Sequence, residues 1–147
     1  MVKNAKEALY IACEMERRAI RMYERGAMVC AHLSRLLAQF EAEERNHLSR
    51  FKEMGASLAP ESRSEEGLVL SAYAAQVLFP GGLMEAEREN AFADAASFLN
   101  YAAAQEAQAI KAYREFAARC RDESARQMFL AIAGEETAHY DAIIRRR

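Results

Sequence analysis

The feature that most constrains this chain is a polar pattern that occurs twice at helical spacing. Glu16 precedes Tyr23 by seven residues in Glu16-Arg-Arg-Ala-Ile-Arg-Met-Tyr23, and Glu106 precedes Tyr113 by the same seven in Glu106-Ala-Gln-Ala-Ile-Lys-Ala-Tyr113. The Ala-Ile pair inside each stretch, Ala19-Ile20 and Ala109-Ile110, is shared. Downstream, Glu43-Glu44-Arg45-Asn46-His47 is answered by Glu135-Glu136-Thr137-Ala138-His139. Two halves with the same pair of patterned segments imply a duplicated helical hairpin.

Periodicity around these motifs predicts an all-α chain. Leu9, Ala12, Cys13, Ala19, Ile20 and Tyr23 keep a three-four spacing over about Ala5 to Ala27, with a turn expected at Gly26 to Ala31. A second helix is expected from about His32 to Met54, on Leu33, Leu36, Leu37, Phe40, His47, Leu48 and Phe51, ending at Gly55 as a cap. The stretch 55–90 holds Pro60, Pro80-Gly81-Gly82 and the apolar run Leu68 to Phe79. It is too long for a tight turn and reads as a crossover carrying one short helix. A third helix is expected from Ala91, or as early as Glu85, to Cys120. A fourth starts near Asp122 or Ser124 and closes on Arg145-Arg146-Arg147. The fold class that follows is a four-helix bundle in one domain over 1–147, with hairpin 1 at about 4–54, crossover at about 55–90 and hairpin 2 at about 91–145.

Composition agrees and excludes much else. With 147 residues, 52% of them hydrophobic, the chain can bury a real core without disulfide or metal staples, so a metal would serve function. Twenty Lys+Arg against 22 Asp+Glu lack the basic excess of a nucleic-acid binder. Three cysteines without CxxC spacing suggest neither a disulfide framework nor a thiolate zinc site. No apolar signal-peptide region follows Met1, and Leu68 to Phe79 is too short to span a bilayer. A soluble, cytoplasmic protein without a membrane partner is the expectation.

The chemistry lies where polar residues interrupt the apolar stripes. Glu44 and His47 are one helical turn apart, in register with Leu37, Phe40 and Phe51, and Glu136 and His139 fall likewise among Phe129, Ile132 and Ile143. Glu16 sits between Cys13 and Ile20, and Glu106 between Ala103 and Ile110. Four carboxylates and two imidazoles therefore point into a core, where unpaired carboxylates neutralise or cost several kcal/mol. Two divalent cations would balance four glutamates, with the histidines as neutral ligands. Glu43 and Glu135, at i,i+4 from the histidines, are competing ligand candidates, although stripe register favours Glu44 and Glu136. Tyr23 and Tyr113, two turns along from Glu16 and Glu106, are read as phenols that donate to a ligating carboxylate and fix its orientation. His32 has no glutamate at helical spacing, and Cys13, Cys30 and Cys120 receive no role.

Together these motifs resemble the rubrerythrin branch of the ferritin-like superfamily over nearly all the chain. That resemblance implies a ferritin-like bundle with a carboxylate-bridged pair of iron ions, with manganese or zinc possible in a preparation. Glu44 and Glu136 would bridge the metals, Glu16 and Glu106 would chelate one each, and His47 and His139 would complete the ligand sets. It further implies an oxidoreductase whose reduced metal pair reacts with hydrogen peroxide or dioxygen, often as a homodimer. The sequence departs from that branch twice. No CxxC of a rubredoxin domain is present, so a separate electron-donor protein is expected, and Ala109 stands where a further carboxylate follows the ligand of the third helix. Iron handling of the ferroxidase kind, and a helical module with a structural metal, are the alternatives.

Overall fold

The computed structural model describes Val2 and residues 4–57 and 64–147, and among these it is all-helical. The order is α1 (Ala5–Val29), a short 3-10 turn (Ala31–Leu33), α2 (Ser34–Ala56), α3 (Ser64–Val77), α4 (Gly82–Arg88), α5 (Ala95–Arg119) and α6 (Glu123–Arg146). The four long helices pair as α1 with α2 and α5 with α6, and α1 also meets α5 while α2 meets α6. Two hairpins thus close into one bundle, and α3 lies along the outside of α1.

Three of the long helices begin on side-chain caps, which supply acceptors for N–H groups that have no helical partner. Asn4 accepts from the Glu7 amide (2.9 Å), Asp94 from that of Ser97 (2.7 Å) and Asp122 from that of Ala125 (2.8 Å). The cap of α6 is therefore Asp122 rather than Ser124. Asp94 also sets the start of α5 at Ala95, later than the expected Ala91 or Glu85. Cys30 and Cys120 cap the C-terminal ends of α1 and α5, and both donate their amides back into the last turn.

The inward faces follow the stripes closely. Helix α2 buries Leu37, Phe40, Glu44, His47 and Phe51, and α6 buries Ala125, Phe129, Ile132, Glu136, His139 and Ile143. Each polar pair occupies the middle of its stripe. On one side of that polar layer Tyr23, Phe40 and Phe98 meet edge to face, and on the other Phe51, Tyr113, Phe116 and Phe129 form a second aromatic cluster. Two apolar layers thus shut water away from the level between them. Ile110 is only half-buried, and Ala109 takes the core position of that turn.

Three expectations about the connections are corrected. Gly26 does not start the turn; it is buried inside α1, where a Cβ would lie 2.3 Å from the Phe98 ring of α5. A close helix approach, not helix breaking, requires this glycine. Gly55 is likewise helical, since α2 runs on to Ala56. The crossover carries two helices, α3 and α4, instead of one; the expected loop signal at Pro60 lies outside the described residues. By composition Leu68–Arg88 could pass for one membrane-crossing helix. It is instead divided between α3 and α4 by a turn in which Phe79, Gly81 and Gly82 all have positive φ. Phe79, at φ 52, is held there from both sides. Its amide donates to the buried Gln105 (2.7 Å), and the Arg18 guanidinium donates to the carbonyls of Leu78 (2.6 Å) and Phe79.

Candidate metal centre

Glu16, Glu44, His47, Glu106, Glu136 and His139 meet at the mid-height of the bundle, each at most 3% exposed. Gln105 is the only other buried polar residue among those described, and no lysine or arginine is buried with them. The six form two overlapping groups. Glu16, Glu44, His47 and Glu136 offer ligand atoms within 4.8 Å of one another, and so do Glu44, Glu106, Glu136 and His139. Glu44 and Glu136 belong to both. That span is about two metal–ligand bonds of roughly 2.0–2.2 Å each, with little left over.

The inner faces of the imidazoles converge on the carboxylates. His47 Nδ1 lies 3.1 Å from Glu136, 3.3 Å from Glu44 and 3.5 Å from Glu16, and His139 Nδ1 lies 3.4 Å from Glu44, 3.5 Å from Glu136 and 3.7 Å from Glu106. Neither Nδ1 makes a hydrogen bond, and the same holds for Glu16 Oε2, both oxygens of Glu44, Glu106 Oε2 and Glu136 Oε1. Buried polar atoms are nearly always satisfied, so a cluster of unsatisfied ones converging on one place could hold an ion. Left ionised and unpaired, each carboxylate would cost several kcal/mol. Four of them would rival a whole domain's stability of about 5–15 kcal/mol.

Protons can relieve part of this in the metal-free chain. Burial, and then the neighbouring carboxylates, push the Glu44 and Glu136 carboxyls well above their usual range. For His47 burial opposes the charge, but Glu136 and Glu16 outweigh it and hold the imidazolium up to about 11. His139 shifts in the same direction, burial being overcome by Glu106 and Glu43. Protonation lets these groups crowd together without satisfying the inward-facing atoms. Two divalent cations would do both: neutralise four negative charges and occupy every free lone pair. An oxygen-rich set with one imidazole per ion suits iron or manganese.

The supporting residues cross between the halves. Tyr113 Oη of α5 donates to Glu16 Oε1 of α1 (2.7 Å), and Tyr23 Oη of α1 donates to Glu106 Oε1 of α5. Each phenol therefore braces the carboxylate of the other half rather than that of its own helix. Burial first, and the adjacent carboxylates second, hold both phenols far above the usual range, so they remain donors.

Glu43 and Glu135, the competing ligand candidates, lie outside the two groups and touch the far side of the rings. Glu135 Oε1 is 3.3 Å from His47 Nε2, and Glu43 Oε2 bonds His139 Nε2. For Glu135, desolvation is outweighed by Arg50 and His47, so the carboxyl stays below its usual range. A carboxylate only accepts, so Nε2 carries a proton, and Nδ1 is the nitrogen that faces the centre and would lose its own proton to an ion. This carboxylate–imidazole arrangement fixes ring orientation and raises donor strength. Arg50 donates to both oxygens of Glu135 (3.1 and 2.8 Å). Sequence reasoning missed the roles of Glu43, Glu135 and Arg50, although the doubled Glu-Glu in each half was the available signal. His32 is exposed, and Cys13, one turn from Glu16, is driven up to about 11 mainly by burial, far from the thiolate form a ligand needs.

The fold and the site together define a four-helix bundle whose core carries two Glu/His groups, able to hold a metal ion each, with two glutamates in common. The comparison with protein families agrees: the model of the ferritin-like domain matches residues 5–147, and the chain belongs to that family. No curated protein and no solved structure matches it.

Proposed function

We propose that this ferritin-like chain is a di-iron oxidoreductase of the rubrerythrin kind, in which a reduced metal pair reacts with hydrogen peroxide or dioxygen. The observation that carries the reading is the sharing of Glu44 and Glu136 between the two groups, with Glu16 and His47 on one side and Glu106 and His139 on the other. Glu44 and Glu136 would bridge, and each remaining Glu/His pair would complete one ion. Manganese fits the same donors.

When bound, such a pair supplies the two electrons that an O–O bond takes up on reduction. The chain's own groups hold the site for it. Tyr113 and Tyr23 fix Glu16 and Glu106 by occupying Oε1 of each, while Oε2 of each is buried without a partner and would be open to the ion. Glu135 and Glu43 hold the Nε2 protons and so present Nδ1 inward. The aromatic layers exclude bulk water, which strengthens the charge interactions between them. The three cysteines are free thiols, and in this reading a separate protein donates the electrons.

Anaerobic reconstitution with ferrous iron followed by peroxide tests the proposal. The expected result is oxidation of two iron ions per chain by the first equivalent of peroxide, with repeated turnover once a reductant is supplied. Iron that stays ferrous in peroxide would overturn it. Sedimentation separates iron storage, which needs a hollow shell of many copies, from the homodimer this reading carries.

A further inference from the structure

The two halves of the centre repeat in each candidate ligand and in each bracing tyrosine, and differ in the charged groups just outside them. Behind His47 stands Glu135, whose two oxygens are both taken by the Arg50 guanidinium. Behind His139 stands Glu43, and among the described residues its other partner is the neutral amide of Gln39 (3.3 Å). The repeat places Ala142 of α6 where the second half would need its counterpart of Arg50, so no guanidinium reaches Glu43 from there. Glu43 is 42% exposed and Glu135 48%, so solvent damps both alike, and the charged group that distinguishes them is Arg50.

A carboxylate that accepts from the outer N–H of an imidazole makes the inner nitrogen a stronger donor, by an amount that grows with its own negative charge. Glu43 keeps that charge for His139. Glu135 shares its charge with Arg50, whose cation also adds repulsion for a second cation at the His47 position. The inner atoms offer nothing to offset this, since Tyr113–Glu16 and Tyr23–Glu106 are counterparts.

We propose that the two metal positions are inequivalent, and that a divalent ion fills the Glu106–His139 position before the Glu16–His47 position because Glu43 lacks the guanidinium that neutralises Glu135. The inference rests on the metal-pair reading and adds to it an order of filling set by residues that are not ligands. A protein built this way holds a one-ion state, from which a metal pair forms by a second, weaker step.

The test uses the full chain and Co2+, which needs no redox chemistry. Crystals grown with one equivalent of Co2+ should show anomalous scattering concentrated at Glu106 and His139, and calorimetric titration should resolve two steps. Glu43→Gln should weaken the first step about 10- to 100-fold. Glu135→Gln should leave the first step within about twofold and weaken the second by a similar factor. Ala142→Arg, which supplies the missing guanidinium at a half-buried surface position, should spread one equivalent of Co2+ over both positions. Scattering divided evenly in the wild type, or concentrated at His47, overturns the inference and leaves the metal pair standing. A protein that takes up no Co2+ overturns both.

Discussion

Removing the phenol oxygen of Tyr113 probes how far the cross-bracing governs the centre. Tyr113→Phe deletes one buried bond, Tyr113 Oη to Glu16 Oε1 at 2.7 Å, and leaves the ring packed against Phe51 (centroids 5.4 Å apart) and Phe129 (6.0 Å). A hydrogen bond to a charged group contributes about 1.5–3 kcal/mol. With the bond gone Glu16 has both oxygens unsatisfied, because Oε2 already lacks a partner. Its carboxylate then rotates freely, and affinity at the Glu16–His47 position should fall about 10- to 100-fold, the usual loss when a group behind a ligand is removed. Since the phenol stays protonated far above neutrality, the loss should not vary between about pH 6 and pH 9. Tyr23→Phe should act in the same way on Glu106, and the double variant should depart from additivity by about 0.5–3 kcal/mol, because the two carboxylates belong to groups that share Glu44 and Glu136. Calorimetric titration with Co2+ reads all three variants, and urea unfolding of the metal-free forms shows that packing is intact. Affinities unchanged within about twofold would refute the assignment of these tyrosines as positioning groups.

Other outcomes follow from the same geometry. Gly26→Ala gains about 1 kcal/mol of helix propensity but drives a methyl against the Phe98 ring, at a cost of about 1–3 kcal/mol; a lower urea midpoint is expected, and a higher one would contradict the close approach. Gln105→Leu removes the acceptor of the Phe79 amide, so limited proteolysis should accelerate around residues 78–82 while the long helices stay protected. The metal-free protein should lose stability as pH rises. Glu44, Glu136, His47 and His139 all have folded values above their unfolded ones, so the native state binds more protons; the stability they add is full in acid and is lost upward from the carboxyl range, through His47 at about 11. Melting temperatures of chelator-treated protein should therefore fall between about pH 6 and pH 8, and the stabilisation gained on adding metal should grow over the same interval. A metal-free melting temperature that climbs with pH would argue against the crowded carboxylates.

Much of the centre was legible because its residues replace hydrophobes on strict stripes. Leu37, Phe40, Glu44, His47 and Phe51 keep the three-four spacing of a buried helix face, so the sequence alone aims Glu44 and His47 inward. What lies between helices was not legible. Which carboxylate a tyrosine reaches depends on which helix is its neighbour, and Tyr23 reaches α5 rather than its own helix. The outward residue of each Glu-Glu pair looked like a rival ligand because i,i+4 spacing is as close as i,i+3; only the facing helix shows that it lies behind the other half's histidine. Gly26 was misread for a similar reason, since the demand for glycine comes from Phe98, far along the chain. In the crossover, the apolar residues from Leu68 to Val77 show no clear period, and Leu68 and Val69 remain exposed, so the pattern gave no edge at which to place α3 and α4.

The central claim is that six buried side chains hold two metal ions, and ion stoichiometry tests it most directly. Protein reconstituted anaerobically with ferrous iron, freed of excess metal and analysed for iron per chain, should carry two ions in the wild type. It should carry far fewer when the shared carboxylate and one imidazole are removed together in Glu44→Ala with His139→Ala. Two ions per chain retained by that double variant, or none bound by the wild type, would contradict the account.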